Sequence, residues 1–162
     1  MAVEQLEDAL KAYFDGRFHS AIVLAGAAEQ LFAGHVRKHG MEPAWSQMRR
    51  TVTMIANGLL YRATGELGTT TEKEIGDLLN RAYNHSKHAG TKDHVIRMNP
   101  KFVARELIDR TVSNYDMLFE RRDYSLPDIP LIQRFVHESV DQVQLEDDTS
   151  EILALDAPDG GA

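Results

Sequence analysis

The chain has 162 residues, 43% hydrophobic and 27% charged, proportions that suit one globular domain with a core of its own. It contains no cysteine, which excludes disulfides and thiolate metal sites. The formal net charge of −7 is unevenly spread: residues 1–122 hold 17 basic and 15 acidic side chains, whereas residues 123–162 hold Arg134 and ten acids.

The first residues, MAVEQLEDALKAYF, carry acids early and lack the basic and apolar regions of a signal peptide. The uncharged run His19 to Ala28 is too short to cross a bilayer. A cytoplasmic protein without membrane contact is the expectation. The first helix is predicted over about Ala2 to Phe14, with Leu6, Ala9, Leu10, Tyr13 and Phe14 apolar and Asp15-Gly16 as its break. A second, about Phe18 to His39, is apolar in nearly every direction and reads as buried most of the way round. Glu29 falls on its Ile22/Ala25/Ala33/Val36 side and is a candidate structural carboxylate. Buried and unpaired it would cost about 3–5 kcal/mol, so it should meet an Arg such as Arg81, a His or backbone N–H groups.

Gly40 closes that helix, and a third follows over about Ala44 to Ala63, with Trp45, Met48, Val52, Ile55, Ala56 and Leu59 at helical spacing. Gly65 and Gly68 make a loop. Thr70 or Thr71 then offers an N-cap, with Glu74 placed for a capping box. The fourth helix is predicted to run unbroken from about Thr71 to Ala89 on an apolar stripe of Ile75, Leu78, Leu79, Ala82, Ser86 and Ala89. Thr91 to Asn99 is a connector whose 94–98 alternation resembles a short strand. Pro100 opens a fifth helix bearing Ala104, Leu107, Ile108, Thr111, Tyr115, Leu118 and Phe119. After the Ser125–Pro130 turn comes a short helix, about 130–143, with Ile132, Phe135, Val136, Val140 and Val143 on one side.

These elements predict an all-α, up-and-down bundle of five to six helices over residues 1–143, with residues 144–162 as an acidic, disordered tail. The near-neutral body leaves room for a basic groove. The tail reads either as a solvated extension or as a competitor of nucleic acid for a basic face.

Most site chemistries find no support. His35/His39 and His85/His88 have metal-pair spacing, but neither Glu29 nor Glu74 is followed three residues on by His, and His-Glu-x-x-His is missing. No metal or cofactor is expected. A Gly-x-Ser-x-Gly elbow and a Walker loop are also lacking.

One stretch remains: Arg81-Ala82-Tyr83-Asn84-His85-Ser86-Lys87-His88. On one helix Arg81, Asn84, His85 and His88 fall at i, i+3, i+4 and i+7, sharing a side roughly opposite the apolar stripe. Arg offers a fixed fork of donors suited to phosphate, and histidine can move a proton to or from a ribose hydroxyl near neutral pH. Asn84, His85 and Lys87 would hold the phosphate backbone. The alternative for the same spacing is a solvent-facing polar side of an amphipathic helix. A ligand pocket lined by Tyr83, Tyr115 and Phe119 is a further possibility.

The run Tyr13-Phe14-Asp15-Gly16-Arg17-Phe18-His19-Ser20-Ala21-Ile22-Val23-Leu24-Ala25-Gly26-Ala27-Ala28-Glu29-Gln30-Leu31, followed by Arg81 to His88, resembles the HEPN superfamily of helical bundles over about residues 1–122. The family's mark is an Arg followed, after four to six residues, by a His; Arg81 and His88 have six between them. The resemblance implies a homodimer with Arg81 and His88 as catalytic residues near the interface. It also implies metal-independent ribonuclease activity of the kind found in toxin–antitoxin, defence or RNA-processing systems, with an antitoxin or nucleotidyltransferase as partner. Other members are non-catalytic interaction modules. The position after the Arg, often polar in active members, is Ala82.

Overall fold

The computed structural model describes residues 1–81, 99–121 and 124–138. Helix α1, Ala2–Phe14, buries Leu6, Ala9, Leu10, Ala12 and Tyr13, the i, i+3, i+4 stripe expected of a helix on one core. It stops at Asp15, and Gly16 takes a φ of 73°, a left-handed conformation that costs little without a Cβ. The chain reverses there, held by the Arg17 N–H to Ala12 O bond of 2.8 Å. The Tyr13 ring meets Phe14 and Phe18 edge-on at 5.6 and 5.7 Å, so the turn is also fastened by aromatic contacts.

Helix α2, Phe18–Lys38, buries Ala21, Ile22, Ala25, Gly26, Ala28, Phe32, Ala33 and Val36. The burial is a broad face rather than a full circumference, because Val23 is exposed. Helix α3, Ala44–Thr64, has no buried residue, and Ile55 and Leu59 of its predicted apolar stripe face solvent. Helix α4 is Glu72–Leu79, and helix α5 is Pro100–Phe119. Asn99 caps α5 by accepting the Lys101 N–H at 3.0 Å, and Pro100 occupies the position where a missing N–H costs nothing.

Helices α1, α2 and α5 make the core, with α2 and α5 the most extensively paired. Small residues on α2 let the backbones come close: the buried Thr111 hydroxyl lies 3.1 Å from Ala25 O and 2.7 Å from its own helix's Leu107 O. Phe32 meets Tyr115 edge-on at 5.8 Å, Tyr115 stacks on Phe119 at 5.5 Å, and the Tyr115 hydroxyl donates to Pro127 O at 2.6 Å. Tyr115, one wall of the possible ligand pocket, is thus a packed and hydrogen-bonded core residue. Tyr83, its proposed companion there, lies outside the described residues.

The chain divides into two units, Met1–Pro127 and Asp128–Ala162. In the second, residues 130–138 are helical and begin after an Ile132 N–H to Ile129 O turn of 2.9 Å. Ile129 and Phe135 are its buried apolar side chains among the described residues. The described residues are all helix and connection, with no strand, and no described helix is long and apolar enough to cross a membrane. The strand-like run 94–98, the end of the last predicted helix and the acidic tail lie outside the described residues.

Candidate functional site

Arg81, the first residue of the candidate phosphate-binding stripe, is placed by the helix before it. Thr71 caps α4: its hydroxyl accepts the Glu74 N–H at 3.3 Å, and the Glu74 carboxylate accepts the Thr71 N–H at 2.8 Å. This is the capping box the sequence predicts, with Thr71 as the capping residue. The two Thr71 hydrogen bonds, backbone first, hold the Glu74 carboxyl below its usual range. The loop leading in is clasped by Asn57, whose amide donates to Thr70 O and accepts the Thr70 N–H, both at 3.0 Å.

The expected apolar stripe of this helix needs correction. Ile75 and Gly76 are buried, whereas Leu78 is 64% exposed. Gly76 faces Arg49 of α3, so closely that a Cβ would lie 2.9 Å from Arg49 Cδ. Arg49 also pairs with Glu72 at 3.3 Å. The seat of α4 is thus an arginine side chain rather than an aliphatic ridge.

The helix expected to continue to Ala89 instead stops at Leu79, with Asn80 as its C-cap. The Asn80 N–H returns to Gly76 O at 3.0 Å, and the residue takes φ −87° and ψ −2°, near the flat edge of the helical region. Arg81 follows the cap, helical in its backbone and exposed in its side chain. Arg81 therefore lies beyond α4 rather than within it. Asn84, His85, Lys87 and His88 lie outside the described residues.

Behind Arg81 is a polar cluster that the sequence reading did not include. Arg110 of α5 is 8% exposed; its Nη1 donates to Asn80 Oδ1 at 3.3 Å and its Nε to Glu106 O at 3.2 Å. The Arg110 guanidinium carbon sits 4.5 Å from the centre of the Trp45 ring. One turn on, the fully buried Asn114 accepts the Ala44 N–H at 2.8 Å and donates to Glu29 Oε1 at 3.5 Å. Glu29 is half-buried, so the structural carboxylate of α2 meets the Asn114 amide.

A sequence signal for this cluster existed. Ala104, Leu107, Thr111, Asn114 and Leu118 recur at alternating steps of three and four, the spacing of a helix seam, and two of the five are polar. A polar residue on such a seam is buried and needs a partner. Asp109 lies off that seam, and burial, against the pull of Arg105, pushes its carboxyl up to about 6.

The His35 and His39 pair is occupied otherwise than by the metal its spacing allows. Tyr124 Oη lies 2.8 Å from His35 Nδ1, and the Tyr124 ring meets both imidazoles edge-on, at 5.8 and 5.4 Å. Among the described residues no three His, Asp or Glu side chains gather as a metal cluster would require.

The described residues define a helical protein in which the exposed Arg81 directly follows Asn80, a contact of the buried Arg110. Compared with family models, curated proteins and solved structures, the chain matches none of them.

Proposed function

We propose that this protein is a HEPN-like homodimer that binds RNA, or the phosphate of a nucleotide, through the Arg81-to-His88 stripe and cuts RNA without a metal. The observation that carries the reading is Arg81: an exposed guanidinium on the residue that follows a fixed helix cap, where a phosphate can reach it from solvent. Guanidinium supplies two parallel donors to a phosphate and keeps its charge at any physiological pH.

In the reaction His88 takes the proton of a ribose 2′-hydroxyl, and that oxygen attacks the adjacent phosphorus. The bond from phosphorus to the 5′-oxygen breaks, leaving a cyclic phosphate, and the departing oxygen receives a proton from a second imidazole. Dimerisation supplies that second group by bringing two stripes together. Arg81 neutralises the charge growing on the phosphoryl oxygens, an effect worth about 3–4 kcal/mol per donor at other oxyanion sites. Asn84, His85 and Lys87 hold the flanking backbone. A protein with this activity works in the cytoplasm under the restraint of an antitoxin or a modifying nucleotidyltransferase.

The test is incubation of purified protein with total RNA beside Arg81→Ala and His88→Ala. Both variants should lose cleavage while remaining folded and dimeric. Full activity in both, in a preparation free of contaminating nuclease, overturns the catalytic reading.

A second reading, a non-catalytic interaction module, draws on a different observation. Met54, Ile55 and Leu59 of α3 and Leu78 of α4 are all more than half exposed, and apolar surface of this kind marks a face that a partner covers. Protein that is inert towards RNA yet tightly dimeric in light scattering selects this reading.

A further inference from the structure

Among the described residues, Arg110 is the basic side chain most thoroughly withdrawn from water. A guanidinium so placed is tolerated only where its charge and donors are met. Among the described residues, contacts come from three separate elements: the Glu106 carbonyl of its own α5, the Trp45 ring in the first turn of α3, and the Asn80 side chain that ends α4. The first two contacts hold the guanidinium plane in place. The third reaches the cap, and so makes the end of α4 depend on a group buried in α5.

Asn80 is tied from both sides. Its backbone N–H belongs to α4 through Gly76 O, and its side-chain oxygen belongs to Arg110. The peptide that leaves Asn80 therefore departs in a fixed direction, and the residue it leads to is Arg81. We infer that Arg110 is a positioning residue: through Asn80 it sets the direction in which Arg81 is presented to phosphate. The inference rests on the reading of Arg81 as a phosphate ligand for its purpose, but the clamp itself is measurable without any RNA.

Lysine does not replace Arg110 in this role. It carries the same charge but has no planar face for Trp45 and no rigid fork to reach Glu106 O and Asn80 together. The positioning is therefore a property of guanidinium shape, and charge alone does not rescue it.

The chain lacks cysteine, so Arg81→Cys creates a single attachment point for a nitroxide label. With Asn80 and Arg110 intact, the label's electron-spin resonance line shape should show a component of restricted motion, as an exposed side chain on an ordered backbone gives. Adding Asn80→Ala, or Arg110→Lys, should convert it to a mobile one while circular dichroism still shows a cooperatively folded helical protein. If Arg110→Lys fails to fold, Asn80→Ala decides alone, because it removes one side-chain contact and leaves the guanidinium on Trp45. An unchanged line shape in folded Asn80→Ala protein overturns the inference.

The second arm uses unlabelled protein and a short single-stranded RNA. Asn80→Ala should weaken binding roughly ten- to a hundredfold, the scale on which displaced catalytic groups fail. Arg81→Ala should then cost nothing further in the Asn80→Ala background, since a misdirected guanidinium has little left to lose. Additive losses overturn the positioning role. Wild-type protein that does not bind RNA at all overturns the phosphate reading of Arg81, while the line shape still judges the clamp.

Discussion

The side chain of Asn114, wholly buried in α5, caps a helix seventy residues away in sequence: its Oδ1 accepts the N–H of Ala44 at 2.8 Å. Helix α3 begins after Pro43 with no side-chain cap from its own sequence, so this N–H would otherwise be an orphan donor at a crowded helix start. Asn114→Ala should therefore destabilise the fold by about 1–3 kcal/mol, the range for leaving a buried polar group unsatisfied. Denaturant unfolding measures it, and Asn114→Asp should be worse at neutral pH than at pH 4.5 because it sets a carboxylate beside Glu29. A midpoint unmoved by Asn114→Ala would show that α3 does not depend on this cap.

Thr71→Ala tests the other capped helix start. Loss of a Thr cap costs about 0.5–2 kcal/mol in comparable helices, and the loss should be local because α4 buries only Ile75 and Gly76. Amide hydrogen exchange should accelerate at Glu74 and Ile75 before the global midpoint moves. The same contact has a pH signature. The Glu74 carboxyl is held below its ordinary 4.5, so its contribution is present above that value and fades as pH falls through the lowered one. Thr71→Ala should shrink that dependence without abolishing it, because the residue-71 backbone N–H, the larger cause, remains.

The sequence carries the helices well and the site poorly, for a physical reason visible at Asn80. Periodicity reports where apolar faces lie, and it locates α1, α2, α3 and α5 to within a residue or two because each shows a repeating pattern over several turns. Capping chemistry is equally local, so Thr71 with Glu74 is legible. The end of α4 is neither: Asn80 is compatible with a helix interior, and what makes it a cap is an arginine thirty residues on. The burial of Asn114 was legible only as a polar residue on a three-four seam, and that of Arg110, which lies off the seam, was not legible at all. Their partners Trp45, Asn80, Ala44 and Glu29 come from tertiary contacts that no local pattern encodes. The bare α3 face is a case where the periodic pattern over-promised, since Ile55 and Leu59 keep helical spacing without a described core opposite them.

Asp109 gives stability an inverted acid response. Burial raises its carboxyl from 3.8 to about 6, so between those values the folded chain keeps a proton that the unfolded chain releases. Stability then falls as pH rises through this window: no penalty below it, the full penalty above it. Asp109→Asn removes the ionisation, and should stabilise the protein at pH 7.5 but not at pH 4. Thermal midpoints across pH 4 to 7.5 would record a gap between variant and parent that opens with pH. Parallel curves would mean that Asp109 is solvated in solution.

Gly68 is a packing requirement rather than a turn requirement. A Cβ built there would lie 2.3 Å from Asn57 Oδ1 and 2.7 Å from Asn57 Cα, and the second contact is backbone that cannot rotate away. Asn57 in turn holds both polar groups of Thr70, immediately before the α4 cap. Gly68→Ala should push the loop off α3, break both Thr70 hydrogen bonds and loosen Thr71 behind them, at a cost of about 1–3 kcal/mol. Gly76→Ala is the contrasting control: its closest neighbour is the flexible Arg49 side chain, which can move aside. Gly68→Ala should therefore lower the unfolding midpoint more than Gly76→Ala. The reverse order would place the close approach of α4 to α3 at Gly76 and remove the Asn57 clasp from the account of how Arg81 is held.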